Sequence, residues 1–453
     1  VGGHQRPPAA GGGVTDWSDG VVVVGGGAAG MLAASAAALQ GVPSLLLEKK
    51  GRLGTKILIS GGGKCNITHA GSMEDIRAKF RPNEGRFLRP SFYRYTNEDF
   101  VRLLTDRGMQ VYTRPDGRIF PVPPADAGDV VSALEAHLRD LGVRIFRDAP
   151  VAEIETSAGA IAGVRLESGE RIVTRRLVVG VGGSSYPATG TTGDGWRWLA
   201  ALGHTIVPLR GALAPIYLDP APPGDWSGVA LRDCVLRARR LGDDGRIGRE
   251  RMRWRGDLLW TYKGVSGPTA LGVSREIAEA IPERSVLEVD LFPDEPFDAL
   301  NARILAHCRV HPRRAIEDFV DAGVPNRLVR PVFDAAGVDG QTKGAYLGQK
   351  ERNRLVETLK GWRIGNVRSV PLERGEVVAG GVSLDEVDPR TMRSTKVQGL
   401  YLCGEVLDIA GPVGGYNLQA AWSTGAVAGE FSAQDFLAEQ RPAVTEADAG
   451  RAG

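Results

Sequence analysis

The sequence predicts an α/β fold: a Rossmann-type nucleotide-binding domain, interrupted by an inserted unit and completed by the C-terminal segment. Three observations lead there. An apolar strand, Val21-Val22-Val23-Val24, runs directly into Gly25-Gly26-Gly27-Ala28-Ala29-Gly30, an Ala-rich stretch and a second apolar strand. Near residue 206 the texture changes to strand-like stretches and then to a helix-rich block. Near Gly399 the strand, Gly-rich loop and long helix return. At 453 residues the chain is too long for one ordinary core, so two or more structural units are expected.

Taken in order, the first twenty residues offer no periodic apolar face and read as a disordered tail, as do the last fifteen or so. Ala28 to Leu39 has no proline and a strong helix composition, and Ser44 to Glu48 is the second strand. Ala127 to Leu141 has helical spacing, and Val143 to Phe146 follows as a strand. Strands are then expected at Pro150–Thr156, Ile161–Leu166 and Arg171–Val181, before a Gly-rich loop and a helix from Gly195 to Leu202. Cys234–Leu241 and Arg249–Trp254 read as strands flanking the turn Gly242-Asp243-Asp244-Gly245. Residues 268–360 read as a helix-rich block, and Leu418 to Phe436 as the closing helix.

The chemistry is concentrated in three glycine loops. In the first, Gly25 permits a tight turn, Gly27 lets backbone approach a pyrophosphate, and Gly30 lets the helix pack on the strand. The helix start then offers free N–H groups and partial positive charge to phosphates. Glu48 lies 18 residues after Gly30, where a carboxylate reaches a ribose hydroxyl and disfavours a 2′-phosphate. The second loop, Ser60-Gly61-Gly62-Gly63-Lys64-Cys65-Asn66, supplies N–H donors and a cation. The third, Gly404-Glu405 and Gly414-Gly415-Tyr416-Asn417-Leu418-Gln419, opens a helix whose N-terminus suits the negative charge of a reduced flavin. All three together point to FAD.

The stretches VVVVGGGAAGMLAA, LGTKILISGGGKCNIT, SSYPATGTTGDGW, LLWTYKGVSGP, AGGVSLDEVDPRTM and GLYLCGEVLDIAGPVGGYNLQAAWSTG resemble the BaiN/aminoacetone-oxidase-type family of FAD-dependent oxidoreductases, from about residue 20 to 432. The resemblance implies a discontinuous FAD domain (20–205 and 376–436), an inserted β-barrel-like domain (206–267 and 361–375) and a small helical domain (268–360), between tails 1–19 and 437–453. It implies an active site where the domains meet, with substrate between the FAD and inserted domains. Implied FAD contacts are Ala28, Ala29, Glu48, Lys49, Lys56, Asn66, Val151, Glu405, Tyr416, Asn417 and Gln419. Gly25, Gly27, Gly30, Gly62, Lys64, Gly404 and Gly415 join them as candidates from the loops themselves. Relatives commonly carry His-Tyr where this chain has Tyr262-Lys263, and Arg where it has Lys64. Tyr262 and Lys263 are the catalytic candidates, by location only.

The expected activity is transfer of a hydride or electrons between non-covalent FAD and a small or medium organic substrate, with NAD(P)H a candidate transient donor. An oxygen-using oxidase or monooxygenase, a flavin-dependent RNA-modifying enzyme and a non-catalytic flavin-binding regulator are the alternatives. The net charge of +2 exerts no global pull on nucleic acid or anionic membrane. Nine arginines against four acids between Arg232 and Arg255 read as exposed strand positions, not an RNA face. Gly180-Val181-Gly182-Gly183-Ser184-Ser185 lacks a third glycine and is a turn beside the flavin, not a nicotinamide site. His307 and His311 have the spacing of a metal pair without a third ligand, so no metal is expected. Cys65, Cys234, Cys308 and Cys403 show no CxxC spacing, and no signal peptide or membrane span is legible; the expectation is cytoplasmic.

Overall fold

The computed structural model describes residues 13–321 and 323–440. These divide into two compact units, residues 13–209 with 378–440, and residues 210–377. Most of both expected tails lies outside the described residues. Their inner edges differ from expectation: Val14–Asp16 is a strand running parallel to Arg171–Val173, and the closing helix continues to Gln440.

The first unit is built on a five-stranded parallel sheet in the order Leu400–Leu402, Leu177–Val179, Val21–Val24, Ser44–Leu47, Arg144–Phe146. Every residue of Val21–Val24 and Ser44–Leu47 is buried, as both faces of a parallel sheet must be, which is why these strands read as unbroken apolar runs. Helix Ala28–Leu39 makes the first crossover. It packs along helix Tyr416–Gln440 at backbone distance: a methyl on Gly425 would stand 2.2 Å from the Ala29 carbonyl oxygen, and one on Gly429 2.0 Å from that of Ala33. Alanine on one helix and glycine on the other are what that approach requires.

A four-stranded sheet (Val14–Asp16, Arg171–Val173, Ala160–Leu166, Val151–Ser157) and a three-stranded one (Thr68–His69, Arg118–Pro121, Val111–Thr113) complete this unit. The single strand expected over Arg171–Val181 is two strands in different sheets. Between them Thr174 turns the chain, its hydroxyl accepting the Arg176 N–H at 3.2 Å and donating to the Arg176 carbonyl at 3.0 Å. Helices Met73–Arg77, Pro82–Arg94 and Asn97–Thr105 fill a region where the sequence pattern had suggested no element.

The second unit is a closed antiparallel barrel of six strands, Ile216–Asp219, Gly264–Ser266, Ile247–Thr261, Ala230–Leu241, Ser285–Asp290 and Trp362–Ser369, with helices attached. Strand Ser285–Asp290 lies inside the block expected to be helix-rich, where no strand had been singled out; its six residues are all buried, and it closes the barrel between Ala230–Leu241 and Trp362–Ser369. The barrel core centres on Trp226, Trp260 and Trp362, whose rings lie 4.8–5.9 Å apart. The arginine-rich strands carry their own counter-charges: Arg237 pairs with Asp290 at 2.8 Å, Arg255 with Asp233 at 2.8 Å and Asp294 at 2.7 Å, and Arg251 with Glu283.

Candidate functional site

The nucleotide cradle forms at the C-terminal ends of the parallel strands, where ligands of open α/β sheets bind. Strand Val21–Val24 ends in Gly25, whose N–H donates to the Leu47 carbonyl at 2.8 Å and whose φ of +105° is accessible to glycine. A methyl on Gly25 would meet the Gly180 carbonyl oxygen at 2.6 Å, and one on Gly30 would meet the Gly25 oxygen at 1.8 Å. These two glycines are therefore demanded by packing. Gly27 is different. It caps helix Ala28–Leu39 with no side-chain hydrogen bond, and a methyl there would meet nothing within 4 Å. The helix N-terminus is thus an open platform of backbone N–H groups, which is what a pyrophosphate requires.

Glu48 leaves its strand beside this platform. Its carboxylate accepts the Gly26 N–H at 2.7 Å and the Lys50 N–H at 2.8 Å. Burial pushes its pKa up, and those two hydrogen bonds and the Lys49 charge oppose the shift. Lys49 points to Thr192 at 2.6 Å and Asp194 at 2.8 Å, drawing the loop before helix Asp194–Ala201 toward the same end of the sheet.

The second loop needs left-handed backbone at three successive glycines, Gly61, Gly62 and Gly63, and again at Cys65. Gly62 borders open space and Lys64 is exposed. Cys65 is buried, with a thiol pushed up to about 12 by desolvation, so it stays protonated and unreactive. Asn66 ties this loop to the third: its amide oxygen accepts the Gly415 N–H at 2.8 Å while its NH2 donates to the Thr68 carbonyl at 3.1 Å.

In the third loop Gly415, at φ +90°, lies against the Thr68 backbone. Asn417 locks Gly411 through both its N–H and its carbonyl, at 2.8 and 2.9 Å. Gln419 is fully buried, accepting from the Thr68 hydroxyl at 2.6 Å and donating to Ser423 at 2.9 Å. Tyr416 stacks on His69, ring centroids 4.8 Å apart. Gly404 donates its N–H to Thr424 at 3.0 Å and, at φ +72°, lets the chain pass Ala29, whose methyl a Cβ would approach to 2.7 Å. Glu405 bridges the Val378 N–H at 3.0 Å and the Lys56 ammonium at 2.6 Å, and Lys56 also reaches the Ser185 hydroxyl at 2.7 Å. This buried-edge ion pair joins residues 349 positions apart in sequence.

The structure thus gathers the first loop, Glu48, Lys49, Lys56 and Glu405 on contacts that also involve Ser185, from the turn expected beside the flavin, and Thr192 and Asp194, which sequence reasoning had not singled out. Thr68 and His69 were missed as well, lying in a short strand with no periodic signal. Val151 opens the four-stranded sheet and is buried. Gly180 belongs to the first turn, its N–H donating to the Val24 carbonyl at 2.9 Å. Tyr262 and Lys263 form the two-residue tip of a barrel hairpin in the second unit; Tyr262 is 75% exposed and the Lys263 ammonium lies 5.3 Å from the Tyr217 ring centre. His307 and His311 lie beside each other, centroids 4.9 Å apart, and among the described residues no cluster of three metal-binding side chains occurs. No helix among the described residues is long and apolar enough to cross a membrane.

The HI0933-like protein Rossmann domain matches residues 19–431 of the chain. Among curated proteins, the 3-dehydro-bile acid delta(4,6)-reductase of Clostridium scindens is 29% identical over 398 residues, 86% of this chain and 92% of that one. The ribosomal RNA dihydrouridine synthase of Escherichia coli is 29% identical over 391 residues, 84% of this chain and 89% of that one. Solved structures with the same fold include the 3-ketosteroid delta1-dehydrogenase of Sterolibacterium denitrificans, at 13% identity and TM-score 0.51 over 92% of this chain and 99% of that one. A mutated FrdA chain of E. coli quinol fumarate reductase gives 16% identity and TM-score 0.50 over 96% and 72%.

Proposed function

The chain belongs to the HI0933-like Rossmann-domain family and is an FAD-dependent oxidoreductase, and from that premise we propose that it saturates a carbon–carbon double bond conjugated to a carbonyl in a small or medium organic substrate. The observation that carries the cofactor half of the reading is the open N–H platform at Gly27 beside the Glu48 carboxylate. Bound FAD supplies the hydride chemistry. The chain's own residues hold and orient it. The first turn of helix Ala28–Leu39 would take the pyrophosphate, Glu48 the adenosine ribose, and the N–H groups at the start of helix Tyr416–Gln440 would stabilise developing negative charge. Asn66 and Asn417 keep that third loop in place through Gly415 and Gly411.

The substrate half rests on the two curated relatives. A delta(4,6)-reductase of a 3-dehydro bile acid and a dihydrouridine synthase both, by name, reduce a double bond in conjugation with a carbonyl. A small-molecule substrate is favoured over RNA because the arginines of the barrel strands are paired with acids of their own unit, leaving little charge for phosphates. The RNA reading is kept alive by the dihydrouridine synthases among the relatives.

The test is anaerobic stopped-flow reduction by NADH and NADPH, followed by separate pulses of a 4,6-dien-3-one steroid, ribosomal RNA and air. Rapid flavin reoxidation by the dienone with the double bond saturated is the expected result. Reoxidation by RNA alone transfers the chain to the second reading, and rapid reoxidation by air alone makes it an oxidase.

A further inference from the structure

In the second unit the end of helix Phe297–Val310 and the turn Gly344–Tyr346 stand side by side. The Gly344 N–H donates to the Arg314 carbonyl and the Ala345 N–H to the Pro312 carbonyl, each at 3.0 Å, and Ala315 bridges to Lys343. A methyl on Gly344 would stand 3.1 Å from the His311 oxygen, so residues 310–314 and 343–346 make one continuous surface.

The apolar groups of this surface face water: Val310 is 70% exposed and Tyr346 78%, and Pro312 and Ala345 are exposed as well. Residues 309–314 and 343–346 carry four cations, Arg309, Arg313, Arg314 and Lys343, and no acid. All four are exposed, and among the described residues none of their side chains makes an ion pair or a hydrogen bond. The nearest acids in sequence are turned to other work, Glu317 accepting from the Gln341 amide and Glu351 from the Gly348 N–H at 3.0 Å. The barrel arginines of the same unit, by contrast, are paired. A single exposed apolar side chain needs no explanation, but an apolar tip among unpaired cations does. A nucleic-acid backbone would meet the charges and leave Val310 and Pro312 in water. An anionic bilayer meets both: the valine enters the headgroup layer, the tyrosine sits at the interface with its hydroxyl wet, and the cations face lipid phosphates and carboxylates. The chain's net charge is only +2, so the attraction is local to this corner.

From the exposed apolar tip, its four unpaired cations and their contiguity, we infer that this corner of the second unit docks on an anionic lipid surface. The test is co-sedimentation of the FAD-loaded protein with vesicles of phosphatidylcholine alone and of an equimolar mixture with phosphatidylserine. Binding is expected to the mixed vesicles only, and is lost at about 1 M salt, where the screening length falls to about 3 Å. Each cation at such a surface contributes about fivefold, so Arg313→Gln with Arg314→Gln should bind about 25-fold more weakly. Val310→Ser should bind about tenfold more weakly, through loss of apolar burial alone. Arg86→Gln with Arg89→Gln, an equal charge loss at exposed positions of helix Pro82–Arg94, should bind as wild type does. All these positions are exposed, so FAD content and melting temperature should not change. No binding to the mixed vesicles, equal binding to both kinds, undiminished binding in either corner variant, or an equal loss in the control would each overturn the assignment. Binding of a single-stranded oligoribonucleotide that Val310→Ser leaves intact, without binding to vesicles, would make the corner a nucleic-acid face instead.

Discussion

Gly27→Ala separates a cofactor role from a packing role within a single turn. Its neighbours Gly25 and Gly30 cannot accept a side chain, because a methyl would lie 2.6 and 1.8 Å from backbone oxygens. Gly27 has φ −86°, ordinary for any residue, and empty space where its methyl would go. Alanine is a poorer N-cap than glycine, so the apo protein should lose about 1 kcal/mol or less. The same methyl would stand on the N–H platform, displacing one or two charge-assisted hydrogen bonds to the pyrophosphate. That is worth about 2–4 kcal/mol, a roughly 30- to 900-fold rise in FAD Kd. The assay is FAD titration of apo protein by flavin fluorescence quenching, with thermal melting of apo wild type, Gly27→Ala and Gly30→Ala alongside. Gly30→Ala should fail to fold or melt far lower. An FAD Kd for Gly27→Ala within about twofold of wild type would refute the placement of the pyrophosphate, and an apo melt as low as that of Gly30→Ala would show the position to be structural.

Glu48→Ala should weaken FAD binding by about 1–3 kcal/mol and also lower the apo melting temperature, since it strands the Gly26 and Lys50 N–H groups; unchanged affinity would place the ribose elsewhere. Gly425→Ala reverses the usual sign of a helical glycine-to-alanine change. Propensity gains about 1 kcal/mol, but the methyl meets the Ala29 oxygen at 2.2 Å, so urea denaturation should show net destabilisation, and a stabilised variant would contradict the helix contact. His137 has a folded pKa of about 4 against 6.5, so the unfolded chain takes up a proton that the folded chain refuses. Stability is then full above pH 6.5 and falls between 6.5 and about 4, by at most about 3 kcal/mol and by nearer 1 after screening at a partly exposed ring. His137→Gln should flatten that slope, and an unchanged slope would remove His137 as its cause.

What the sequence disclosed was whatever local chemistry dictates. Val21–Val24, the glycine turn and helix Ala28–Leu39 are legible because a parallel strand buried on both faces must be apolar throughout, and because the turn that follows excludes side chains. The inserted unit was legible as strands, but its closure was not. Strand Ser285–Asp290 carries the charged Glu288 and Asp290 in alternation with the core residues Leu287 and Val289, which masked it among helices. Both acids are buried because Arg239 and Arg237 of the adjacent strand neutralise them. A pairing across about fifty residues leaves no periodic trace in either segment. The same holds for Val14–Asp16, which is a strand only because Arg171–Val173 offers it an edge.

The candidate site divides along the same line. Glycines at Gly25, Gly27 and Gly30 announce themselves, whereas Lys56, Ser185 and Glu405 matter through one another, and nothing in the spacing of three such common residues marks them. Gln419 makes the point most sharply. It stands in a motif that suggests a cofactor contact, yet both ends of its amide are committed inside the protein, to Thr68 and to Ser423, and Ser423 passes the chain on to the Tyr95 carbonyl at 2.6 Å. A residue fixed in this way acts on the flavin loop through Thr68 and Gly415 by holding them still. Its replacement should therefore loosen the third loop and the Tyr95 backbone together.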